Sequence, residues 1–438
     1  MRVSGVCSRW RTIAIGAPYL WTHINVYLDG PKRSQKRTIT DKISTLLDRS
    51  GDLALDVEIY AHGDGVAASI RQFHSMAREK GYFNRWRTLC LDWDRNLVIE
   101  SFHFSNLRDV DNFSRLECLT LISRPPPTYI YFISKSITSR IHTLVLGKGF
   151  WFSDDFHVEY GRILGQVRSV GVLGWNSLPP VALPPNVSSL YIWGLADAPI
   201  PHVKYLTVKD LDLKAFAFSN PNPIHIVALR IDMYVGRHFG FTTSLPNLRW
   251  LMLRQHSYIA LELLKTPELH TLTFEDPDIL EKQSVNGELL YRLKNDLLAP
   301  KLRMLSLDIP IDDRATDEVF RLFPKLSRIE IYQCDPWRAE SFLYEVFGNR
   351  RNFNVCPNMT VIRLILKRPP YNSGHDLRCA MRKAAGNVGD CFAALECSWS
   401  GGGYYEYVGD KTRRDISCED PWVHQGAIVR MPIGSYQG

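Results

Sequence analysis

With 438 residues, 45 % of them hydrophobic and 23 % charged, the chain has the composition of a folded protein, which excludes wholesale disorder, and it is too long for one simple core. Its 53 Lys and Arg against 46 Asp and Glu leave a charge of only +7, spread along the whole length, so composition gives nucleic acid no claim as a partner. Nine cysteines, an odd number without a C-x-x-C pair, exclude a disulfide framework and a zinc motif and point to a reducing compartment, cytoplasmic or nuclear.

The first predicted element is a short helix over residues 3–14. Val3, Val6, Trp10, Ile13 and Ala14 are read as one apolar face, and Pro18 stops the helix before the anchor pair Leu20-Trp21. No signal peptide is legible here, and nowhere is there an apolar run of the ~18 residues that would cross a membrane. The basic run Lys32 to Arg37 reads as a solvated linker. Thr38 or Thr40 then caps a helix carrying Ile39, Ile43, Leu46 and Leu47, which Gly51 ends. Leu53, Leu55, Val57 and Ile59 alternate as a strand with one buried face.

From Trp86 onward the sequence repeats itself. An apolar residue, two others, an apolar residue, one other and an apolar residue recur, as in Trp86-x-x-Leu89-x-Leu91 and Leu116-x-x-Leu119-x-Leu121. Further starts fall at Ile141, Val167, Val187, Val203, Ile226, Leu248, Leu269, Leu302, Leu326 and Met359. The spacing averages about 25 residues, inside the period of leucine-rich repeats. Proline stands two residues before seven of the starts, among them Pro246, Pro267, Pro300 and Pro324, where it blocks a helix and favours a turn into a strand. Amphipathic stretches such as Ala315 to Phe323 fit between the strands. One strand with its connection cannot bury its own apolar side, so stacking must stabilise the array. The expected fold is therefore α/β: an irregular, horseshoe-like leucine-rich-repeat solenoid behind a short N-terminal helical segment.

Four segments follow from this reading. Residues 1–30 hold the N-terminal helical segment, 31–61 a linker, a helix and the first strand, 62–367 the solenoid, and 368–438 a C-terminal cap with a partly disordered tail. Within each repeat strand the residues before, between and after the apolar pair turn away from the core and face the concave side. This rule selects Tyr191, Trp193, Tyr205, Arg230, Trp250, Arg254, Arg328 and Tyr332 as partner-binding candidates, the residue types that dominate binding hot spots.

No chemistry competes with this reading. Phosphate-binding loops, nucleophile elbows and zinc-helix motifs are absent from the sequence, and His375, Asp376 and Cys379 are close only in sequence. The expectation is a protein without catalytic residues, metal or cofactor that binds an unidentified protein.

The segment Val6-Cys7-Ser8-Arg9-Trp10-Arg11-x-Ile13-Ala14, with Pro18-x-Leu20-Trp21 behind it, resembles the second half of an F-box-like domain of the type abundant in mushroom-forming fungi. Asp48 to Leu53 also resembles the helix end and Ser-Gly turn of those proteins, and irregular leucine-rich repeats follow there as here. The resemblance implies a substrate adaptor of an SCF-type cullin-RING ubiquitin ligase. Val6, Cys7, Trp10, Ile13, Leu20 and Trp21 would pack the F-box and help form the surface for the Skp-type linker subunit. The family's first half, a leucine-proline phrase and an acidic apolar helix, is not in the sequence, so weak linker binding is expected. The alternative is a repeat scaffold without ligase linkage.

Overall fold

The computed structural model describes residues 8–29, 33–62, 66–93, 113–122, 140–147, 163, 165–173, 183, 185–193, 202–209, 223–232, 242–275, 293, 299–307, 321–334, 339–344, 358–366, 380, 394–399 and 404–408. Val6, Cys7 and the His375 segment lie outside them, as does most of Ala315 to Phe323. The chain divides into two compact units, one built chiefly on Met1–Trp175 and Pro179–Trp193, the other on Gly194–Ile428.

The first unit opens with helix α1 (Ser8–Ile15), a 3-10 turn at Pro18–Trp21 and strand β1 (His23–Asp29). Helix α2 (Arg33–Arg49), strand β2 (Leu55–His62) and helix α3 (Val66–Glu79) follow. Five strands complete it: β3 (Trp86–Trp93), β4 (Cys118–Leu121), β5 (Thr143–Leu146), β6 (Ser169–Leu173) and β7 (Ser189–Trp193). All seven strands are parallel and lie side by side in sequence order.

The second unit repeats the arrangement with β8 (Tyr205–Lys209), β9 (Ala228–Ile231), β11 (Trp250–Arg254), β13 (Thr271–Glu275), β14 (Met304–Leu307), β15 (Arg328–Cys334) and β16 (Val361–Leu366). Two short strands, β10 (Thr243–Ser244) and β12 (Leu264–Lys265), pair with each other instead. Strand β17 (Ala394–Trp399) continues the parallel series, and β18 (Tyr404–Val408) closes it antiparallel. Parallel neighbours joined one repeat at a time make this an α/β, solenoid-like repeat fold, as the periodicity predicts.

Every one of the twelve predicted starts is buried, from Trp86 at 1 % exposure to Met359 at 3 %, and each leads into a strand. The register puts equivalent residues opposite one another: Leu89, Leu119, Leu144, Val170 and Leu190 form one row of the first unit, and Leu206, Leu229, Leu251, Leu272, Leu305, Ile329 and Ile362 one row of the second. Burying one such side chain is worth about 1.5–3 kcal/mol. Polar groups at the turn repeat as well. The residue after ten of the twelve starts donates its N–H to the equivalent carbonyl one repeat earlier, as Arg249 does to Val227 (2.8 Å), His270 to Arg249 (2.9 Å) and Arg303 to His270 (2.8 Å). Unpaired backbone groups at the strand entrance are thereby satisfied. The asparagines just before three starts add side-chain ties: Asn186 to the Val167 carbonyl, Asn247 to Ile224 and Asn358 to Pro324.

The structure corrects the sequence reading in several places. The first strand is β1, whose Ile24, Val26 and Leu28 are buried, and it pairs with β2. Helix α2 begins at Arg33, so most of the supposed basic linker is helical and Thr38 and Thr40 lie inside the helix rather than capping it. Gly51 does end the segment, at φ +55°, a left-handed conformation that favours glycine. Helix α3 buries Val66, Phe73 and Ala77, residues at helical spacing, and Phe73 stacks on Trp86 at 6.2 Å between centroids. Asp48 of α2 is bonded by Lys80 through both oxygens at 3.0 Å and by the Tyr82 hydroxyl; these bonds, that from Tyr82 foremost, hold its carboxyl below the usual range. In α1, Ala14 is buried while its neighbour Ile13 is half exposed, because successive residues on a helix point ~100° apart. Of the pair only Ala14 is covered.

Candidate partner-binding surfaces

Three surfaces collect the sequence-selected residues. At the N-terminus Trp21 is 2 % exposed. Its indole N–H donates to the Ala14 carbonyl at 2.6 Å, and the Arg49 guanidinium lies 4.7 Å over its ring. Trp21 therefore pins α1 and the 3-10 turn against α2. What this leaves outside is apolar: Ile13 at 49 %, Ile15 at 43 %, Tyr19 at 69 % and Leu20 at 39 % exposure. Half of the conspicuously exposed large hydrophobics among the described residues fall in these eight positions, which makes this segment the first candidate surface. Trp10 belongs to α1. Ile15 and Tyr19 escape a sequence reading because the spacing of an apolar residue does not say which side of a short helix is covered.

On the first unit's sheet, the side turned from the main core is not bare. Tyr191 and Trp193 of β7 are half-buried and pack, with Cys90, against a cluster of Ile122 and Val145, the latter wholly buried. Gly171 stands in register between Val145 and Tyr191, and a Cβ there would come within 3.0 Å of Val145. The missing side chain lets Tyr191 close on Val145. Further along the same face Tyr27 and Tyr60 stack at 4.9 Å, and Tyr60 donates to Glu58 at 2.8 Å. Burial raises the thiol of Cys90 well above its ordinary range and that of Cys118 to about 12, so neither is a thiolate at neutral pH.

The second unit's sheet carries charges in ladders. Tyr205 and Trp250 are half-buried at their strand starts. Arg230 reaches Asp232 at 2.6 Å, and Arg254 lies between Asp232 (3.9 Å) and Glu275 (2.9 Å), so one network crosses β9, β11 and β13. A second network crosses β15 and β16. Glu330, only 3 % exposed, accepts from Arg328 Nε at 2.9 Å and lies 3.5 Å from Arg363. The sequence rule brings Arg230, Arg254 and Arg328 to one face but does not foresee that each is already paired, nor the part of Arg363. Tyr332 belongs to β15. A partner on this face meets a pre-oriented array of fixed charges, which favours selectivity over raw affinity.

No known family matches the chain, and no curated protein matches it in sequence.

Among the described residues no three His, Cys, Asp or Glu side chains gather as metal ligands would, and no helix is long and apolar enough to cross a membrane. The three surfaces hold an apolar patch in the N-terminal segment and aromatics and paired charges on the strands.

Proposed function

We propose that this chain is a non-enzymatic protein-binding module and that it works as the substrate-recruiting F-box adaptor of an SCF-type ubiquitin ligase. The observation that carries the reading is the exposed patch of Ile13, Ile15, Tyr19 and Leu20, held in place by buried Trp21. It lies in the segment whose sequence resembles the second half of an F-box, where the resemblance implies contact with a Skp-type linker. Val6, Cys7 and Trp10 belong to the same motif. The repeat strands then present Tyr205, Trp250 and the arginine ladders to a substrate.

Stable interfaces bury ~1,200–2,000 Å², and the affinity of Met1–Gly438 for a purified Skp-type linker sets the baseline. It should rise when the first helix of a related F-box is fused ahead of Met1, and Ile13→Asp with Leu20→Asp should abolish the gain without lowering the melting temperature. Calorimetric titration of the three proteins decides the matter. If the fusion gains nothing, the adaptor reading fails and a repeat scaffold without ligase linkage takes its place.

A further inference from the structure

The two residues that flank each repeat start, one before and one after, form a charged ridge along the second unit that is separate from the strand face and from the N-terminal patch. The carbonyl-to-amide bonds fix its geometry. Lys204, Val227, Arg249, His270 and Arg303 follow one another through direct backbone bonds of 2.8–2.9 Å, so their side chains stand in a row at the spacing of neighbouring parallel strands, ~4.8 Å. Lys301 and Lys325 stand two residues back, before the starts Leu302 and Leu326. Across the fourteen flanking positions of the seven starts from Val203 to Met359 there are five cations and one carboxylate, Glu268. The whole chain is nearly balanced at 53 to 46, so the excess belongs to the flanking positions.

Most of this charge is available. Lys204, Arg249, Arg303 and Lys325 are exposed, and Glu268 is taken by Lys301 at 2.6 Å. Burial first, then the nearness of Arg303 and Arg249, holds His270 below its ordinary pKa. In the first unit the flanking positions hold Arg85, Arg87, Arg115, Arg140 and Arg168, of which Arg140 and Arg168 are exposed while the other three have partners within the chain. Arg87 forms a two-pronged pair with Asp56 (3.1 and 2.6 Å), and Arg115 donates to the Asp52 carbonyl.

We infer that the ridge of Lys204, Arg249, Arg303 and Lys325 is a docking surface for an acidic, extended segment of a partner protein. Single-stranded nucleic acid is the less suited occupant, because its binding sites combine basic grooves with aromatic platforms on which bases stack, and none of the fourteen positions is Phe, Tyr or Trp. The backbone amides after the starts, which could have cradled phosphates, are consumed by the inter-repeat bonds. A carboxylate-rich strand asks only for side-chain cations in a row. The inference holds whether or not the N-terminal patch takes a linker.

Fluorescence anisotropy of the full chain with labelled oligo-glutamate, oligo-lysine, oligothymidylate and a DNA duplex tests it. Oligo-glutamate should bind and oligo-lysine should not, and affinity should fall steeply with added salt. Arg249→Glu with Arg303→Glu should weaken binding at least about tenfold, while Lys42→Glu on exposed α2 should not. Arg249→Gln with Arg303→Gln serves where the reversal fails to fold, judged by circular dichroism. Oligo-glutamate binding that is absent, or equal in wild type and ridge variants, overturns the inference. So does tighter binding of either nucleic acid that the same variants abolish, which would make the ridge a phosphate-binding surface.

Discussion

Single residues fix how closely the repeats stack. Gly147 follows β5, where its N–H donates to the Leu121 carbonyl at 2.6 Å, and a Cβ at this position would sit 1.5 Å from the Ile122 carbonyl oxygen. Since that neighbour is backbone, Gly147→Ala should cost more than about 2 kcal/mol. Gly51→Ala, where φ is +55° but nothing lies within 4 Å, should cost about 1–2 kcal/mol. Urea unfolding of the two variants compares them, and equal losses would mean that β5 simply shifts away. His270 supplies a pH dependence at the same scale. Burial and the cations Arg303 and Arg249 lower its folded pKa, so the folded state resists protonation that the unfolded chain accepts near pH ~6.5. Stability is therefore full above that value and is lost as pH falls through it toward the lowered folded value. Melting temperatures measured above and below this window should drop more for wild type than for His270→Gln or Arg303→Gln. An equal drop in all three would remove His270 from the account.

At the level of elements, one phrase of sequence is one turn and one strand. The phrase Leu245-Pro246-Asn247-Leu248 shows the division of labour. Leu245 and Leu248 are wholly buried, Pro246 starts the turn, and Asn247 ties the repeat to the Ile224 carbonyl at 2.7 Å. Leu248→Ala should cost about 2–5 kcal/mol through loss of burial and a cavity, whereas Asn247→Ala, at an exposed bond, should cost about 1 kcal/mol; chemical denaturation separates the two, and a larger loss for Asn247 would make the polar tie the main one. The twelve starts were legible because parallel, in-register strands place the same demand on the same position each time. Elements outside that phrase were not. The alternation Ile24, Val26, Leu28 is too short to announce β1 beside a helix signal. The Thr38 and Thr40 capping signal was overridden as α2 began at Arg33, and β17 hid because Cys397 and Trp399 stand opposite Leu364 and Leu366 of β16. The candidate faces were half legible: alternation says which residues leave the core, and pairing is what sequence cannot show. Arg254 and Glu275 meet only because register sets them opposite each other.

The whole molecule is held together one neighbour at a time. In the second unit, β13 has hydrogen-bonded partners only in β11 and β14 among the described strands, and the same holds along each series, so stability should behave as a sum of local repeat terms and nearest-neighbour contacts rather than as one indivisible core. Such arrays open in contiguous pieces. Leu272 stands at the middle of the second unit's buried row, with Leu251 and Leu305 as its register partners, and it is fully buried. Leu272→Ala should therefore speed amide hydrogen exchange most in β13, less in β11 and β14, and least in β8 and β16, under conditions where the chain remains folded. The first unit's β3 to β5, which share no ladder with β13, should keep their protection. Hydrogen exchange read by mass spectrometry on peptides covering each strand gives the profile directly. Uniform acceleration across all strands would mean that the chain opens as a single cooperative body, and the local stacking that the repeat sequence implies would then describe its geometry but not its energetics.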